Sequence, residues 1–193
     1  MSLDVAKIRE DFPILSRQVN NKPLVYLDNG ASAQKPQVVI DAVTQAYSAE
    51  YANVHRGLHY LSNLATDKYE AVRGKIAKFL NAASEDHIVF NSGTTEGINL
   101  IAYSWAMPRL QSGDEIVLSI MEHHANIIPW HFLRERMGVK LIWVDVDANG
   151  DLDPERMIPA MGPKTKLVAI TQMSNVLGTV IDVKTITQAA QAL

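Results

Sequence analysis

Short apolar runs alternate along this chain with stretches whose apolar residues recur at helical spacing. Ile8, Phe12 and Leu15 predict a short first helix that Pro13 interrupts. Leu24 to Leu27 form an apolar run that stops at the turn signal Asp28-Asn29-Gly30. Pro36 opens a predicted helix through Tyr47. Ala65, Tyr69, Val72, Ile76 and Phe79 predict a second helix over about residues 62–80. From residue 87 the rhythm becomes strand then helix. A strand at 87–90 precedes a helix over about 95–105. Ser112-Gly113-Asp114 turns into a strand at 115–119, which ends at Met121-Glu122-His123-His124. A helix over 125–137, a strand at 140–144, a strand at 166–171 ending at Met173-Ser174-Asn175, and a helix over 182–193 follow. This order predicts an α/β domain with a mainly parallel sheet flanked by helices. The strand expected after the last helix is absent, so the sheet is expected to be incomplete.

In open parallel sheets, ligands bind beyond the carboxyl ends of the strands. Three polar groups occupy such positions here: Thr94-Thr95, His123-His124 and Ser174-Asn175. The run Gly93-Thr94-Thr95-Glu96-Gly97 joins a predicted strand to a predicted helix. The first amides of a helix lack intrahelical partners and its dipole favours negative charge there, so this turn suits a phosphate. It is neither a Gly-Lys-Ser/Thr loop nor a Gly-x-Gly-x-x-Gly turn, and an ordinary capped helix would read the same way.

Composition narrows the field. The chain has 193 residues, 47% hydrophobic and 20% charged, enough to bury a sizeable core. A net charge of −3 and a pI near 6.0, with no basic stripe, argue against nucleic acid or an anionic membrane as partner. Cysteine is absent, which excludes disulfides, cysteine-ligated metals and any thiol chemistry by these residues. No apolar run approaches the ~18 residues of a spanning helix. The start, Met1-Ser2-Leu3-Asp4, lacks the regions of a signal peptide, so a cytoplasmic location is expected.

Other polar clusters carry both plain and chemical readings. Glu122-His123-His124 lacks the His-Glu-x-x-His spacing, and neighbouring histidines on a turn diverge, so no metal site is expected. An imidazole at a strand end suits stacking on an aromatic ligand or proton transfer, or simply caps the next helix. Asn175 offers an amide, or makes an Asx turn into Val176-Leu177-Gly178. The loop Asn53-Val54-His55-Arg56-Gly57 could hold a carboxylate through the arginine fork, or be a solvated surface loop. Asp145 and Asp147 read as a solvated strand exit and receive no role.

Five segments together resemble one family. These are residues 26–36 (Tyr-Leu-Asp-Asn-Gly-Ala-Ser-Ala-Gln-Lys-Pro), 53–57 (Asn-Val-His-Arg-Gly), 93–99 (Gly-Thr-Thr-Glu-Gly-Ile-Asn), 121–130 (Met-Glu-His-His-Ala-Asn-Ile-Ile-Pro-Trp) and 173–178 (Met-Ser-Asn-Val-Leu-Gly). In order and spacing they are similar to cysteine desulfurases of the branch with the sulfur-mobilisation enzyme and the selenocysteine lyases. That branch belongs to the class-V aminotransferase group of fold-type-I pyridoxal-phosphate enzymes. The resemblance implies the first part of a fold-type-I large domain over 61–193, with residues 1–60 forming an N-terminal helix and segments at the substrate entrance and dimer interface. It implies that Thr94 and Thr95 hold the phosphate of pyridoxal 5'-phosphate, that His123 stacks on the ring and serves in proton transfer, and that Asn175 bonds the phenolic oxygen. Ala31, Ser32, His55 and Arg56 would lie near the substrate.

The implied reaction takes L-cysteine, or L-selenocysteine, to L-alanine and passes sulfur to a persulfide for iron–sulfur cluster assembly, in a homodimer with a sulfur-acceptor protein. In the family an aspartate on the ring nitrogen, a Ser-x-His-Lys lysine that carries the cofactor, the sulfur-accepting cysteine and a substrate arginine come later than residue 193. The 193 residues alone are therefore expected to be inactive. Rival readings are a selenocysteine lyase, a kynureninase-like hydrolase or an epimerase of the same superfamily, a non-catalytic fragment, and a generic phosphate-binding module.

Overall fold

The computed structural model describes residues 3–193, so Met1 and Ser2, part of the segment read for a signal peptide, lie outside the described residues. The chain divides into two compact units, Met1–Val89 and Phe90–Leu193. Among the described residues, no helix is long and apolar enough to cross a membrane.

The second unit is built on three parallel strands: β3 (Glu115–Ser119), β4 (Lys140–Val144) and β5 (Thr165–Ala169), in the order β4-β3-β5. The predicted bounds of β3 and β4 match these strands, while β5 begins one residue before its expected start and ends two before its expected end at residue 171. As the central strand, β3 is covered on both faces. Ile116 and Leu118 point to one side and Val117 to the other, all fully buried.

On the first face lie α4 (Thr94–Leu100), the wide π turn Ile101–Ala106 that continues it, and α5 (Ile128–Met137). They pack Ala102, Ala106, Trp130 and Leu133 onto Ile116 and Leu118. On the second face, α6 (Pro154–Met157) and α7 (Val183–Gln191) pack Met157 and Ile186 against Val117 and Val144. Helix α5 ends at Gly138, whose φ of 74° is left-handed; a Cβ there would sit 2.7 Å from the Ser112 hydroxyl.

The expected strand at 87–90 does not form. A 3-10 turn over Glu85–His87, capped by the Ser84 hydroxyl, is followed by extended chain that joins no strand ladder. A run of strand-forming residues becomes a strand only beside a partner ladder, and none lies alongside it among the described residues. The Ile88 carbonyl instead accepts a bond from the Arg73 guanidinium.

The first unit holds α1 (Val5–Glu10), a 3-10 turn at Pro13–Ser16, α2 (Gln37–Gln45) with a π turn at Ala46–Glu50, and α3 (Tyr60–Leu80). A two-stranded hairpin, β1 (Gln18–Val19) and β2 (Lys22–Pro23), turns through Asn20 and Asn21, both at positive φ. The run 24–27 stays outside that ladder and leaves Leu27 92% exposed. Only Ser62, Ala77 and Ile88 of this unit are buried among the described residues.

Candidate functional site

Helices switch faces between neighbouring strands of the sheet. The chain leaving β3 enters α5 on one face, while the chain leaving β5 enters α7 on the other. Adjacent strands whose connections part in this way leave a crevice at their carboxyl ends, the usual ligand position of such sheets. His123 stands four residues beyond β3 and Asn175 six beyond β5, so both belong to the rim of this crevice. Helix α4, which begins with Thr94 and Thr95, packs against the 3-10 turn His124–Asn126 directly after His123. The structure thus brings the three expected groups to one end of one sheet.

The start of α4 is open. Gly93 has a φ of 146°, which a side chain would strain, and no atom lies within 4 Å of where its Cβ would be. Its amide donates to Asn91 Oδ1 at 2.9 Å. The first amide of the helix to find a helical carbonyl is that of Gly97, on Gly93 at 3.1 Å. The turn is closed from the side by Glu96, whose carboxylate accepts from the Ser92 amide at 2.6 Å and from the Ser92 hydroxyl. Those two bonds, the hydroxyl first, hold the Glu96 carboxyl below its ordinary range. Thr94 and Thr95 are exposed, with their hydroxyls making no bond within the described protein.

His123 caps its own turn. Its Nδ1 accepts from the Ala125 amide at 3.1 Å, and its carbonyl accepts from the Asn126 amide at 2.7 Å. An accepting Nδ1 leaves the ring proton on Nε2. The ring is exposed, and the His124 ring stands across it at 78° with centroids 6.2 Å apart. The capping and chemical readings of this histidine are therefore compatible, because capping uses one nitrogen only.

The Asn175 loop answers the Asx-turn alternative. Its turn is held by Ser174, a buried residue whose hydroxyl oxygen accepts from the amides of Val176 (3.3 Å) and Leu177 (3.1 Å). Met173 pairs with Val180 across the loop neck, and the Ser174 amide donates to the Thr179 carbonyl at 3.0 Å. Asn175 takes no part, and its amide is exposed.

Sequence reasoning missed Glu122. It is buried, 8% exposed, at the head of the crevice. Its Oε1 accepts from the Ser119 hydroxyl at 2.6 Å and the Thr171 amide at 3.0 Å, while Oε2 accepts from Asn126 Nδ2 at 2.8 Å. Asn126 Oδ1 in turn accepts from Trp130 Nε1 at 3.1 Å. The available signal was a lone acidic residue directly after an apolar strand, followed four residues later by an amide.

The remaining expected residues lie in the first unit. Ala31 and Ser32 are exposed in a tight turn, their amides bonded to the Asp28 carbonyl at 3.2 and 3.0 Å, with the Tyr26 hydroxyl donating to the Ser32 carbonyl at 2.7 Å. The 53–57 loop is no free surface loop. One stripe of α3, Ser62, Thr66 and Glu70 at four-residue spacing, ties it down. The Ser62 hydroxyl donates to the Asn53 carbonyl at 2.6 Å and accepts from the Gly57 amide at 3.0 Å. The His55 amide donates to Thr66 Oγ1 at 2.9 Å, and His55 Nε2 meets Glu70 Oε1 at 2.6 Å, at a backbone φ of 68°. That contact is the main cause holding the Glu70 carboxyl below its ordinary range. Arg56 is exposed. Asp147 spends its carboxylate on the Asp151 and Asn149 amides, both at 2.8 Å, as turn geometry requires.

The chain is similar to several cysteine desulfurases. A cysteine desulfurase of Enterobacter sp. (strain 638) is 53% identical over 179 residues, covering 93% of this chain and 44% of that protein. The crystal structure of the cysteine desulfurase CsdA from Escherichia coli superimposes with a TM-score of 0.82 at 37% identity, covering all of this chain and 47% of that one. The apo cysteine desulfurase from Thermococcus onnurineus NA1 gives 0.86 at 34% identity, covering all of this chain and 46% of that one. The chain thus spans about half the length of the relatives it matches. The sheet with helices on both faces is the partial fold-type-I domain that the sequence led us to expect. Residues 25–193 match the aminotransferase class-V family, whose enzymes use pyridoxal phosphate, and this chain belongs to that family.

Proposed function

We propose that this chain supplies half of a pyridoxal-phosphate pocket in a cysteine desulfurase. One L-cysteine and one enzyme thiol give one L-alanine and one enzyme persulfide, so sulfur transfer needs no external oxidant. The observation that carries this reading is the crevice beyond β3 and β5, with open amides at the start of α4, an exposed imidazole and an unused side-chain amide around it. The donor set fits the cofactor: amides and hydroxyls suit a phosphate dianion, a flat ring suits a pyridine, and an amide suits a phenolic oxygen.

Pyridoxal phosphate, when bound, supplies an electron sink for bond cleavage in the substrate. Thr94 and Thr95 would hold its phosphate at the positive end of α4. His123 would stack on its ring, with Nε2, the nitrogen its turn leaves unused, available to move a proton. Asn175 would donate to the phenolic oxygen. Ala31, Ser32, His55 and Arg56 serve the substrate entrance, with the Arg56 fork suited to a carboxylate. The chain contains no cysteine, so the accepting thiol belongs to the remainder of a longer protein. The reading extends to a cytoplasmic homodimer that hands sulfur to an acceptor protein.

The test is alanine formation by the whole-length protein given L-cysteine and a thiol reductant. Equal amounts of alanine and sulfide are expected. Thr95→Val should weaken cofactor affinity by roughly tenfold to a hundredfold, the worth of one bond to a charged group. A cofactor-loaded protein that makes no alanine from L-cysteine, or unaltered affinity in the variant, overturns the reading.

A further inference from the structure

Glu122 precedes His123 directly, yet its side chain turns inward and reaches three separate segments. The Ser119 hydroxyl comes from the end of β3, the Thr171 amide from the exit of β5, and Asn126 from the turn that carries His123. The bond to Thr171 joins residues 49 apart in sequence and crosses the crevice between the two strand ends. The Thr171 side chain then donates to the Met173 carbonyl at 2.8 Å, two residues before Asn175.

The direction of each bond is fixed. Indole Nε1 can only donate, so Trp130 fixes the carbonyl oxygen of Asn126 as its acceptor and turns the amide nitrogen toward Glu122. A main-chain amide can only donate as well. Glu122 must therefore accept on both oxygens, which a carboxylate does and an uncharged amide does not. An apolar pair would fill the same space, but without setting the angle and distance between the two loops. A buried carboxylate is tolerated when both its oxygens accept hydrogen bonds, as they do here.

We infer that Glu122 is a positioning residue of the cofactor pocket: its carboxylate, bridging the ends of β3 and β5, sets the His123 turn at a fixed distance from the Asn175 loop. The inference rests on the function proposed above. A stacking ring and a donor on opposite sides of one flat ligand must hold their separation within a fraction of an ångström, and a bridge between their two roots achieves that.

The polarity argument gives a direct test. Glu122→Gln places an amide nitrogen against the Asn126 amide nitrogen, two donors facing each other. Adding Asn126→Asp restores every bond: the new amide oxygen accepts from Ser119 and Thr171, its nitrogen donates to the new carboxylate, and that carboxylate still accepts from Trp130. Val139→Ala serves as the control, a cut into the core at a residue 2% exposed whose side chain makes none of these hydrogen bonds.

The experiment uses the whole-length protein, with pyridoxal phosphate titrated into the apo form, affinity read from tryptophan fluorescence and absorbance, and Tm measured alongside. Glu122→Gln should weaken affinity by about tenfold or more and shift the cofactor absorbance band, while the double variant should return to within about threefold of wild type. Val139→Ala should lower Tm with affinity nearly unchanged. If Glu122→Gln does not fold, rescue of both folding and affinity in the double variant is the supporting result. Affinity within twofold of wild type in Glu122→Gln, a folded double variant without rescue, or an equal affinity loss in Val139→Ala at the same fall in Tm each overturns the inference. A wild-type protein that takes up no pyridoxal phosphate overturns the proposed function, and this inference with it.

Discussion

His123 caps its turn with one ring nitrogen and leaves the other unused for the chemistry proposed above. Its Nδ1 caps the turn and its Nε2–H faces outward, so the ring is oriented before any ligand arrives. His123→Phe keeps a flat ring and removes the proton. Cofactor affinity should stay within a few-fold of wild type, while kcat for alanine formation falls by roughly 10²–10⁴, the range of general acid–base catalysis. A kcat unchanged in the variant would mean that the ring only stacks. The sequence exposed this histidine because it follows a strand and accompanies a recognisable run of neighbours. It hid Glu122, because one of the three donors that satisfy its buried carboxylate lies 49 residues away, where no local pattern announces it. The 53–57 loop was equally opaque. Its anchors Ser62, Thr66 and Glu70 form a polar stripe at four-residue spacing, which looks solvated until the loop that covers it is known.

Elements whose apolar residues face a core were legible, and those that depend on pairing were not. The bounds of β3 and β4 followed from their apolar runs and α3 from helical spacing, whereas α5 begins at Ile128, after a 3-10 turn, rather than near residue 125. The run at 87–90 has strand-forming residues but no ladder beside it, and the hairpin at Asn20-Asn21 is set by two left-handed residues rather than by a hydrophobic signal. The short α6 went unseen because four residues carry no period. Helix α7 shows what a sequence-readable cap does. Asp182 accepts from the Thr185 amide at 3.1 Å and the Thr185 hydroxyl at 2.7 Å, with the hydroxyl bond the larger cause holding its carboxyl below the ordinary range. A folded value below the unfolded one means that the cap contributes fully above an unfolded aspartate's pKa of about 3.9 and is lost as the pH falls through the lowered folded value. The Thr185 amide shift in NMR should therefore titrate below about pH 4 in wild type and lose that step in Asp182→Asn, which keeps an acceptor oxygen without a titrating proton. An identical titration in the variant would assign the shift to another group.

Across the whole molecule the two units bury their apolar residues very differently. The second encloses two clusters, one on each face of its sheet. In the first, Val38 (71% exposed), Tyr47 (72%), Leu58 (102%) and Phe79 (88%) stand open. Among the described residues no strand pairs with the outer edge of β4 or β5. Apolar surface and unpaired backbone of this kind favour association. The 193-residue chain by itself should bind a fluorescent hydrophobic dye strongly and sediment faster as its concentration rises, whereas the whole-length protein should bind little dye. A dye-silent monomer at all concentrations would show that these faces are covered within the 193 residues. The fold class was readable from the alternation of strands and helices, and the family from five short segments in a fixed order. The opposite departure of the chain from β3 and β5, which makes the crevice, emerged only once the two apolar clusters were seen on separate faces.

The loop beyond β5 divides its labour between neighbours. Ser174 does the building and Asn175 does none of it. A substitution at 174 therefore breaks the turn, whereas one at 175 leaves every bond of the turn in place and changes only what the loop offers the crevice. A scaffold arranged in this way can explore new ligands one position at a time without first surrendering its shape.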